Sequence, residues 1–322
     1  MVYGLSVYKP DLLGCNYSYR TFRMAGDGTA MRPICTLVKR DVPAMARTAL
    51  LYVHGYNDYF FQAAMGDSIA AHGYAFFALD LRDYGRSIQA GREPFYTNDF
   101  RCYDADLDSA LAAIRAEGYK RIVVMGHSTG GLIASDYLCR YGQRAGVSAL
   151  ILNSPFLDWN FGWWMERLVI PVVSWIGRLF PRLKVQGEGK DTYARSLLRG
   201  EKGEWSYNTV WKKPHGQTKR AGWIRAVRQA QLRVRRGSVP CPVLVMSSDR
   251  SLPETSRWND AFLRTDIVLS VKDIQRYGKQ LGPEVSTEVI VGGMHDLVLS
   301  ERAVRDVVYR KLFVFMQKVD GR

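Results

Sequence analysis

The residue types best suited to chemistry lie in one short stretch, Gly126-His127-Ser128-Thr129-Gly130. An apolar run at residues 122–125 precedes it, and small residues with helical spacing follow it. This pattern predicts a strand, a sharp turn and a helix, with Ser128 at the apex of the turn. Glycines two residues before and after the serine let the strand and the helix cross closely, which raises the hydroxyl above the sheet. We therefore predict that Ser128 is a nucleophile.

A serine hydroxyl is a poor nucleophile at neutral pH and needs a base, normally a histidine that a carboxylate orients. Of the five histidines, His54 lies in the loop predicted opposite the serine, and His127 adjoins the serine but is poorly placed to reach its hydroxyl. His72 falls at a predicted helix end, and His215 lies in a region without strands. His295 follows the last predicted strand, where a loop can deliver an imidazole to the top of the sheet. We predict His295 as the base.

The carboxylate must come from another loop at the same edge of the sheet. Asp249 directly follows a strand predicted at residues 242–246, so we predict it as the acid. The competitors are Asp266, Asp273 and Asp296. The first two lie beyond a helix predicted near residues 255–263, and the third is too close to His295 along the chain to reach its far ring nitrogen. The resulting chain order of serine, aspartate and histidine is the one expected of an α/β-hydrolase.

A sheet must position these residues, and the sequence alternates strand and helix patterns over most of its length. Strands are predicted at residues 17–24, 31–38, 48–53, 74–79, 121–125, 147–152, 242–246 and 287–291, with helices near 59–72, 101–117, 129–141, 255–263 and 300–317. The first two strands flank Gly26-Asp27-Gly28 and form a hairpin. The pattern predicts an α/β fold, a mostly parallel sheet with helices on both faces and an N-terminal antiparallel hairpin.

One region breaks this alternation. Residues 155–236 contain no buried-strand run and hold seven of the eight tryptophans. They also carry 17 Lys and Arg against 6 Asp and Glu, so +11 of the net charge of +14 lies there. We predict a helical cap inserted after the sixth strand, which divides the chain into core residues 1–154, cap residues 155–236 and core residues 237–322.

Composition excludes several classes of protein. The 322 residues, 47% of them hydrophobic, suffice for a large buried core. We find neither a signal-peptide pattern in the first thirty residues nor an apolar run of about 18 residues, so we expect neither export nor a membrane span. Five scattered cysteines without C-x-x-C spacing argue against a disulfide framework or a zinc site and favour a cytoplasmic location.

On these residues the chain resembles the α/β-hydrolases of the monoacylglycerol lipase and lysophospholipase group. The resemblance covers roughly residues 48–155 and 241–317. The motifs that carry it are His54-Gly55, Asp80-x-x-x-x-Gly85-x-Ser87, Gly126-His-Ser-Thr-Gly130, Asp249 and His295. It implies an α/β-hydrolase fold in which Asp80, Gly85 and Ser87 shape the loop after the fourth strand.

The resemblance also implies a mechanism. The backbone N–H groups of Tyr56 and Thr129 would form an oxyanion hole. The residues implied to shape the site are His54, Gly55, Gly126 and Gly130. Ser128 would attack an acyl carbonyl with His295 as base, and water would release the acyl group. This reaction requires no metal and no organic cofactor.

The cap is expected to determine the substrate. The residues predicted to bind it are Trp159, Trp163, Trp164 and Trp175. The apolar first half of the cap either lines an acyl-chain channel or docks on a membrane surface. The basic residues of its second half would attract an anionic membrane. We predict a serine carboxylic-ester hydrolase acting on lipid-like esters of the monoacylglycerol or lysophospholipid type, through an acyl-enzyme on Ser128.

Two other interpretations remain open. One is a general carboxylesterase or acyltransferase acting on small non-lipid esters, and the other is a non-catalytic, basic surface-binding protein on a hydrolase fold. Without the cap the chain keeps a net charge of only +3, which offers no continuous basic groove, so nucleic acid is not an expected partner. The sequence leaves the acyl-chain length, the leaving group and the oligomeric state open.

Overall fold

The computed structural model describes residues 7–41 and 46–321, and residues 1–6, 42–45 and 322 of the predicted core lie outside these ranges. Its main feature is a sheet of nine strands: β1 (Lys9–Asp11), β2 (Gly14–Arg23), β3 (Ile34–Arg40), β4 (Thr48–Val53), β5 (Ala75–Asp80), β6 (Arg121–His127), β7 (Ala149–Asn153), β10 (Val243–Ser248) and β11 (Val285–Ile290). Their order in the sheet is β1-β2-β3-β5-β4-β6-β7-β10-β11. The remaining strands, β8 (Lys184–Gln186) and β9 (Lys219–Arg220), form a separate pair.

The central strands are apolar on both faces because helices cover both. Every residue of β4, β5, β7 and β10 is buried. From β5 to β11 all neighbouring pairs are parallel, whereas β1, β2 and β3 are antiparallel, as the predicted hairpin requires. Because the short strand β1 was not predicted, the cap follows the seventh strand rather than the sixth.

Two apolar layers sandwich the sheet. The helices are α1 (Ala63–Ala71), α2 (Asp104–Ala116), α3 (Thr129–Tyr141), α4 (Ile170–Leu179), α5 (Thr192–Leu197), α6 (Ala221–Arg236), α7 (Val271–Gly278) and α8 (Arg302–Asp320). One core cluster contains the inner faces of α2, α3 and α6, and the other contains those of α1 and α8. Loops at the carboxyl ends of the parallel strands therefore gather at one edge, where α/β sheets place their sites.

The helix predicted near residues 255–263 is wrong. That segment holds only a short 3₁₀ turn, Asp260–Arg264, and the helix of this region is α7, which the sequence analysis missed. The Leu252 N–H donates to the Asp266 carbonyl at 3.0 Å, and the Asp266 N–H donates to the Arg250 carbonyl at 3.1 Å. Residues 249–266 are thus a closed loop that returns to its starting point at the top of β10.

The cap residues form a small helical layer over the site. A π-helical turn, Met165–Val169, leads into α4, and α4 packs against α6. Although the sequence assigns α6 to the cap, this helix packs against α3, and its Trp223 and Val227 belong to the main core. Within the described ranges, the helices are all too short or too polar to cross a membrane.

Candidate active site

Ser128 lies at the apex of the turn between β6 and α3. Its backbone angles, φ 50° and ψ −117°, lie in a region that side chains rarely adopt. The flanking glycines are required, because a Cβ on Gly126 would lie 2.6 Å from the Gly131 Cα, and a Cβ on Gly130 would overlap the His54 carbonyl oxygen. The strained turn therefore exists because both neighbours lack side chains, and it directs the Ser128 hydroxyl toward the cap.

His295 reaches the serine from the loop that follows β11. Its Nε2 lies 3.0 Å from the Ser128 Oγ, and the imidazole is almost completely buried. Gly292, with φ 72°, turns the loop back over the sheet, and the Met294 N–H donates to the Ser300 hydroxyl at 2.9 Å. The structure thus brings together the serine and the histidine that the sequence analysis selected, at a distance suited to proton transfer.

The carboxylate beside His295 is Asp266, so the choice of Asp249 is wrong. Asp266 Oδ2 lies 2.9 Å from His295 Nδ1, and its Oδ1 accepts the N–H groups of Val268 and Leu269, both at 2.8 Å. Asp249 instead accepts the Gly292 N–H at 2.9 Å and so supports the histidine loop from below. The error arose from the predicted helix, because a loop that closes on itself carries Asp266 back to the sheet edge.

The loop after β4, residues 54–58, faces the serine turn. His54 Nδ1 lies 2.8 Å from the Gly55 carbonyl, and its Nε2 accepts the Leu81 N–H at 3.1 Å, so the imidazole holds this loop to the next. A Cβ on Gly55 would lie 3.2 Å from the Ser128 Cβ, which shows how closely the loop approaches the serine. Tyr56 and Thr129 line the same cavity as Ser128.

A cavity of about 310 Å³ extends from Ser128 beneath the cap. Its apolar wall consists of Phe156, Trp159, Trp223, Ile224, Ile267 and Leu269. Of the four tryptophans predicted to bind substrate, Trp159 lines the cavity. Trp163, Trp164 and Trp175 do not, and their exposed fractions are 57%, 68% and 63%. These three belong to the outer surface of the cap.

Asp58, Tyr193 and Lys212 form one polar part of the cavity lining, here called the polar end. Lys212 Nζ lies 2.8 Å from Asp58 Oδ1, and both side chains are nearly buried. The ammonium also lies 5.7 Å from the ring centres of Phe61, Tyr193 and Tyr207. Within the described residues, Asp58 Oδ2 and the Tyr193 hydroxyl are buried and lack a hydrogen-bond partner. The sequence analysis missed this end, since a lone Asp and a lone Lys 154 positions apart give no motif.

Asp58, His127 and Asp296 bring potential metal-ligand atoms within 4.8 Å of one another. Asp58 Oδ1 already binds Lys212, and both oxygens of Asp296 accept amide N–H groups, from Asn153 at 2.6 Å and from Gln62 at 3.2 Å. Burial lowers the pKa of His127, whose Nδ1 lies 3.1 Å from the Asn153 carbonyl. Lys212 therefore supplies the cation of this cluster.

Comparison with protein families matches residues 44–302 to the Hydrolase_4 family, described as serine aminopeptidase, S33. Among characterised proteins, the monoglyceride lipase of Saccharomyces cerevisiae is 24% identical over 144 residues, 43% of this chain and 45% of that protein. A non-heme haloperoxidase of Rhodococcus erythropolis is 33% identical over 86 residues, 27% of this chain and 29% of that protein. The matched region thus spans less than half of either relative.

Solved structures resemble the chain over nearly its whole length. A soluble variant of the S. cerevisiae monoglyceride lipase, in complex with a substrate analog, has a TM-score of 0.70 at 15% identity and covers 98% of this chain and 99% of its own. The monoacylglycerol lipase of Paleococcus ferrophilus has a TM-score of 0.65 at 16% identity, with 88% and 98% covered. Likeness at such low identity concerns the fold, and it confirms the predicted α/β-hydrolase architecture.

Proposed function

Since the chain belongs to the serine aminopeptidase (S33) family of serine hydrolases, we propose that it is a carboxylic-ester hydrolase acting on lipid-like esters. The observation that carries the proposal is the continuous chain of hydrogen bonds from Ser128 Oγ through His295 to Asp266, at 3.0 and 2.9 Å. Ser128 and His295 line a cavity whose wall includes both apolar and polar side chains. The five free cysteines support the predicted cytoplasmic location.

The mechanism follows from the positions of these groups. The Ser128 oxygen attacks the ester carbonyl while its proton moves to His295 Nε2, and the negative charge on the former carbonyl oxygen is held by the Tyr56 and Thr129 N–H groups. His295 then returns the proton to the departing alcohol, leaving an acyl group on Ser128. Water, deprotonated by the same imidazole, releases the carboxylic acid and restores the serine.

The two ends of the cavity suit the two parts of a lipid ester. His295 protonates the alcohol, so the alcohol lies on the imidazole side, where the Tyr193 ring is 5.8 Å from the His295 ring. Tyr193, Lys212 and Asp58 there offer both donors and acceptors, which suits hydroxyl groups. Because Asp58 already balances the charge of Lys212, an alcohol with neutral hydroxyls fits better than one with a phosphate. The monoacylglycerol type is therefore favoured over the lysophospholipid type.

The outer surface of the cap supports access from a lipid phase. Side chains that are large, apolar and exposed are Phe161, Trp163, Trp164, Met165, Leu168, Val169, Val172, Trp175, Leu179 and Phe180, here called the apolar patch. Phe161 also lines the cavity, so the apolar patch is continuous with the entrance to the site. Such a surface favours peripheral membrane contact, which would let a substrate pass from the bilayer to Ser128.

The test of the hydrolase proposal is covalent labelling by a fluorophosphonate combined with ester turnover. The wild-type protein should take up one label and hydrolyse p-nitrophenyl esters, and Ser128→Ala should do neither. Labelling that survives in Ser128→Ala would contradict the assignment of the nucleophile. Across a series of acyl chains, medium or long chains should be preferred, and a sharp preference for acetate would favour the small-ester interpretation instead.

The polar end is tested with Tyr193→Phe, which removes a hydroxyl without breaking a contact in the protein. We expect KM for a monoacylglycerol to rise by about 2- to 10-fold, the value of one hydrogen bond, while KM for the p-nitrophenyl ester of the same acid stays the same. Tyr309→Phe is the matched control, since this tyrosine on α8 also has a buried hydroxyl without a described partner. An equal rise in KM for both esters would contradict the proposal that the polar end binds the alcohol.

A further inference from the structure

Resting on the hydrolase proposal, we propose that a segment of the cap is part of the oxyanion machinery. Residues 207–213, here called the strap, bind the loop that carries the Tyr56 N–H, and Asn57 is the positioning residue that makes the connection. The strap would then be a fixed support that sets the rate of the chemical step, rather than a lid that only admits substrate.

The central contact is a reciprocal pair of hydrogen bonds. The Asn57 side-chain amide donates to the Lys213 carbonyl at 2.8 Å, and its side-chain oxygen accepts the Lys213 N–H at 3.0 Å. One side chain therefore satisfies both backbone groups of a single residue in the strap. Such two-point contacts fix orientation as well as distance, because neither bond survives a rotation of the partner.

The neighbours of Asn57 extend the contact along the chain. Asp58 pairs with Lys212 at 2.8 Å, and the next residue, Tyr59, accepts the Asn208 N–H on its hydroxyl, also at 2.8 Å. The Trp211 ring meets the Tyr59 ring edge-on at 5.3 Å. Three consecutive residues after Tyr56 are thus each held by the strap.

Hydrogen bonds within the strap also fix its own conformation. The Asn208 side-chain oxygen accepts the Val210 N–H at 2.9 Å and the Trp211 N–H at 3.3 Å, which closes a local turn. From another side of the loop, the Tyr56 ring packs on Trp223 of α6 with ring centres 4.4 Å apart. The loop is therefore supported by two separate parts of the cap-side structure.

The backbone of the loop explains why support is needed. Asn57 has φ 51°, a left-handed conformation that costs free energy for residues other than glycine and persists only where contacts enforce it. The amide plane between Tyr56 and Gly55 must be set to within about 0.5 Å for its N–H to meet the oxyanion. A contact that fixes Asn57 restrains that plane through Tyr56, because only the φ and ψ of Tyr56 lie between them.

The test compares Asn57→Gly with wild type, because glycine keeps the left-handed backbone and removes only the side chain. We expect kcat for a p-nitrophenyl ester to fall by about 10- to 100-fold with KM changed by less than about threefold. An alkylboronic acid forms a tetrahedral adduct on Ser128 that mimics the oxyanion. Its inhibition constant should rise by the same factor as kcat falls.

The matched control is Arg182→Ala, which removes an ion pair between the cap and Glu93 (3.0 Å) that involves neither Asn57 nor the strap. This variant should keep kcat and boronate affinity while its thermal stability changes slightly. Asn57→Asp retains the acceptor for the Lys213 N–H but sets a carboxylate oxygen against the Lys213 carbonyl, so its kcat should lie between those of Asn57→Gly and wild type. It also serves as the test variant should Asn57→Gly fail to fold by circular dichroism, and its kcat should then lie measurably below wild type.

Each outcome separates the two proposals. A wild-type protein that neither turns over esters nor takes up fluorophosphonate refutes the hydrolase function itself. A labelled, active wild type in which a folded Asn57→Gly variant keeps both kcat and boronate affinity refutes the positioning role alone. Equal losses in Asn57→Gly and Arg182→Ala would also refute it, because they would show that any weakening of the cap has the same effect.

Discussion

At the scale of single residues, the position of Asp266 changes how the site is understood. The carboxylate holds the His295 ring by one oxygen, while two backbone N–H groups at 2.8 Å fix the other oxygen. An orienting carboxylate keeps the imidazole in the tautomer that accepts the serine proton and stabilises the imidazolium that results. The two amides mean that Asp266 cannot swing away without losing three hydrogen bonds.

Replacing Asp266 by Asn should therefore be severe. An amide that donates to His295 Nδ1 stabilises the wrong tautomer, so we expect kcat to fall by about 10⁴-fold with little change in KM. Steady-state kinetics on a p-nitrophenyl ester measure the change. Asp249→Asn is the matched control, because this carboxylate binds the Gly292 N–H and the Arg250 side chain, and kcat of the variant should fall by less than about tenfold. The reverse ranking would restore Asp249 as the acid.

Lys212 illustrates a second effect at this scale. Burial acts to raise the pKa of Asp58, but Lys212, together with His127 and His54, outweighs burial, and the pKa of Asp58 is lowered. Because the folded-state pKa lies below the unfolded value of about 3.9, the pair contributes stability above that pH, and the contribution is lost as the pH falls further. The sign depends on the partner, since burial alone would raise this pKa.

The variant Lys212→Met should reverse the pH dependence. It leaves a buried carboxylate without a cation, which costs about 3–5 kcal/mol at neutral pH. Burial then raises the pKa of Asp58, so the variant should gain stability relative to wild type as the pH falls from 7 toward about 4. Urea denaturation across this range measures the difference. A constant difference at every pH would show that Asp58 keeps its charge without Lys212.

At the scale of secondary-structure elements, sequence patterns predicted what depends on local order. The sequence predicts a strand at residues 48–53, the bounds that β4 has, because a short continuous apolar run is typical of a strand covered on both faces. The turn at Ser128 was predicted because close crossing of strand and helix requires glycine at 126 and 130. His295 followed from its place after the last strand.

The misses concern placement that no local pattern encodes. Asp266 is brought to the site by a loop closed through main-chain bonds between residues 250–252 and 266, and such bonds leave no trace in residue types. The same holds for Lys212, whose partner lies 154 residues away. The tryptophans of the cap could be predicted as apolar contacts, but residue type does not show which of them face inward. Trp159 lies in an irregular segment and lines the cavity, whereas Trp164 and Trp175 lie on the helical segment that follows and are exposed.

The exposed tryptophans lead to a prediction for the helical segment that ends in α4. The double variant Trp164→Ser, Trp175→Ser removes two side chains that face outward, so turnover of a dissolved p-nitrophenyl ester should stay the same. Binding to lipid vesicles should weaken by about 10-fold or more, since burying each aromatic in the interface contributes on the order of 1 kcal/mol or more. Vesicle sedimentation measures it. Val314→Ser, an exposed residue of α8, is the control, and equal weakening there would contradict a role for the apolar patch.

At the scale of the whole molecule, part of the positive charge of the cap is paired with carboxylates of the core. Arg182 and Arg220 both bind Glu93, which lies outside the cap. Arg233 binds Asp136 of α3 at 2.7 Å, and Lys212 binds Asp58. These four cations attach the cap to three carboxylates of the core, so the outer surface of residues 155–236 carries less than the full charge of +11.

The charge that remains near the apolar patch sets how strongly an anionic membrane should attract the protein. Exposed cations beside it are Arg167, Arg178 and Lys184. Each of these cations should contribute about 1 kcal/mol of attraction to an anionic surface. Adding phosphatidylserine to neutral vesicles should therefore raise the affinity roughly 100-fold. If all eleven net charges of the cap contributed, the gain would be many orders of magnitude larger. Vesicle sedimentation at about 0.05 and 0.5 M salt checks this, since screening should remove most of the gain while binding through the apolar patch persists. Binding that requires anionic lipid and vanishes completely in salt would mean that charge, and not the apolar patch, makes the contact.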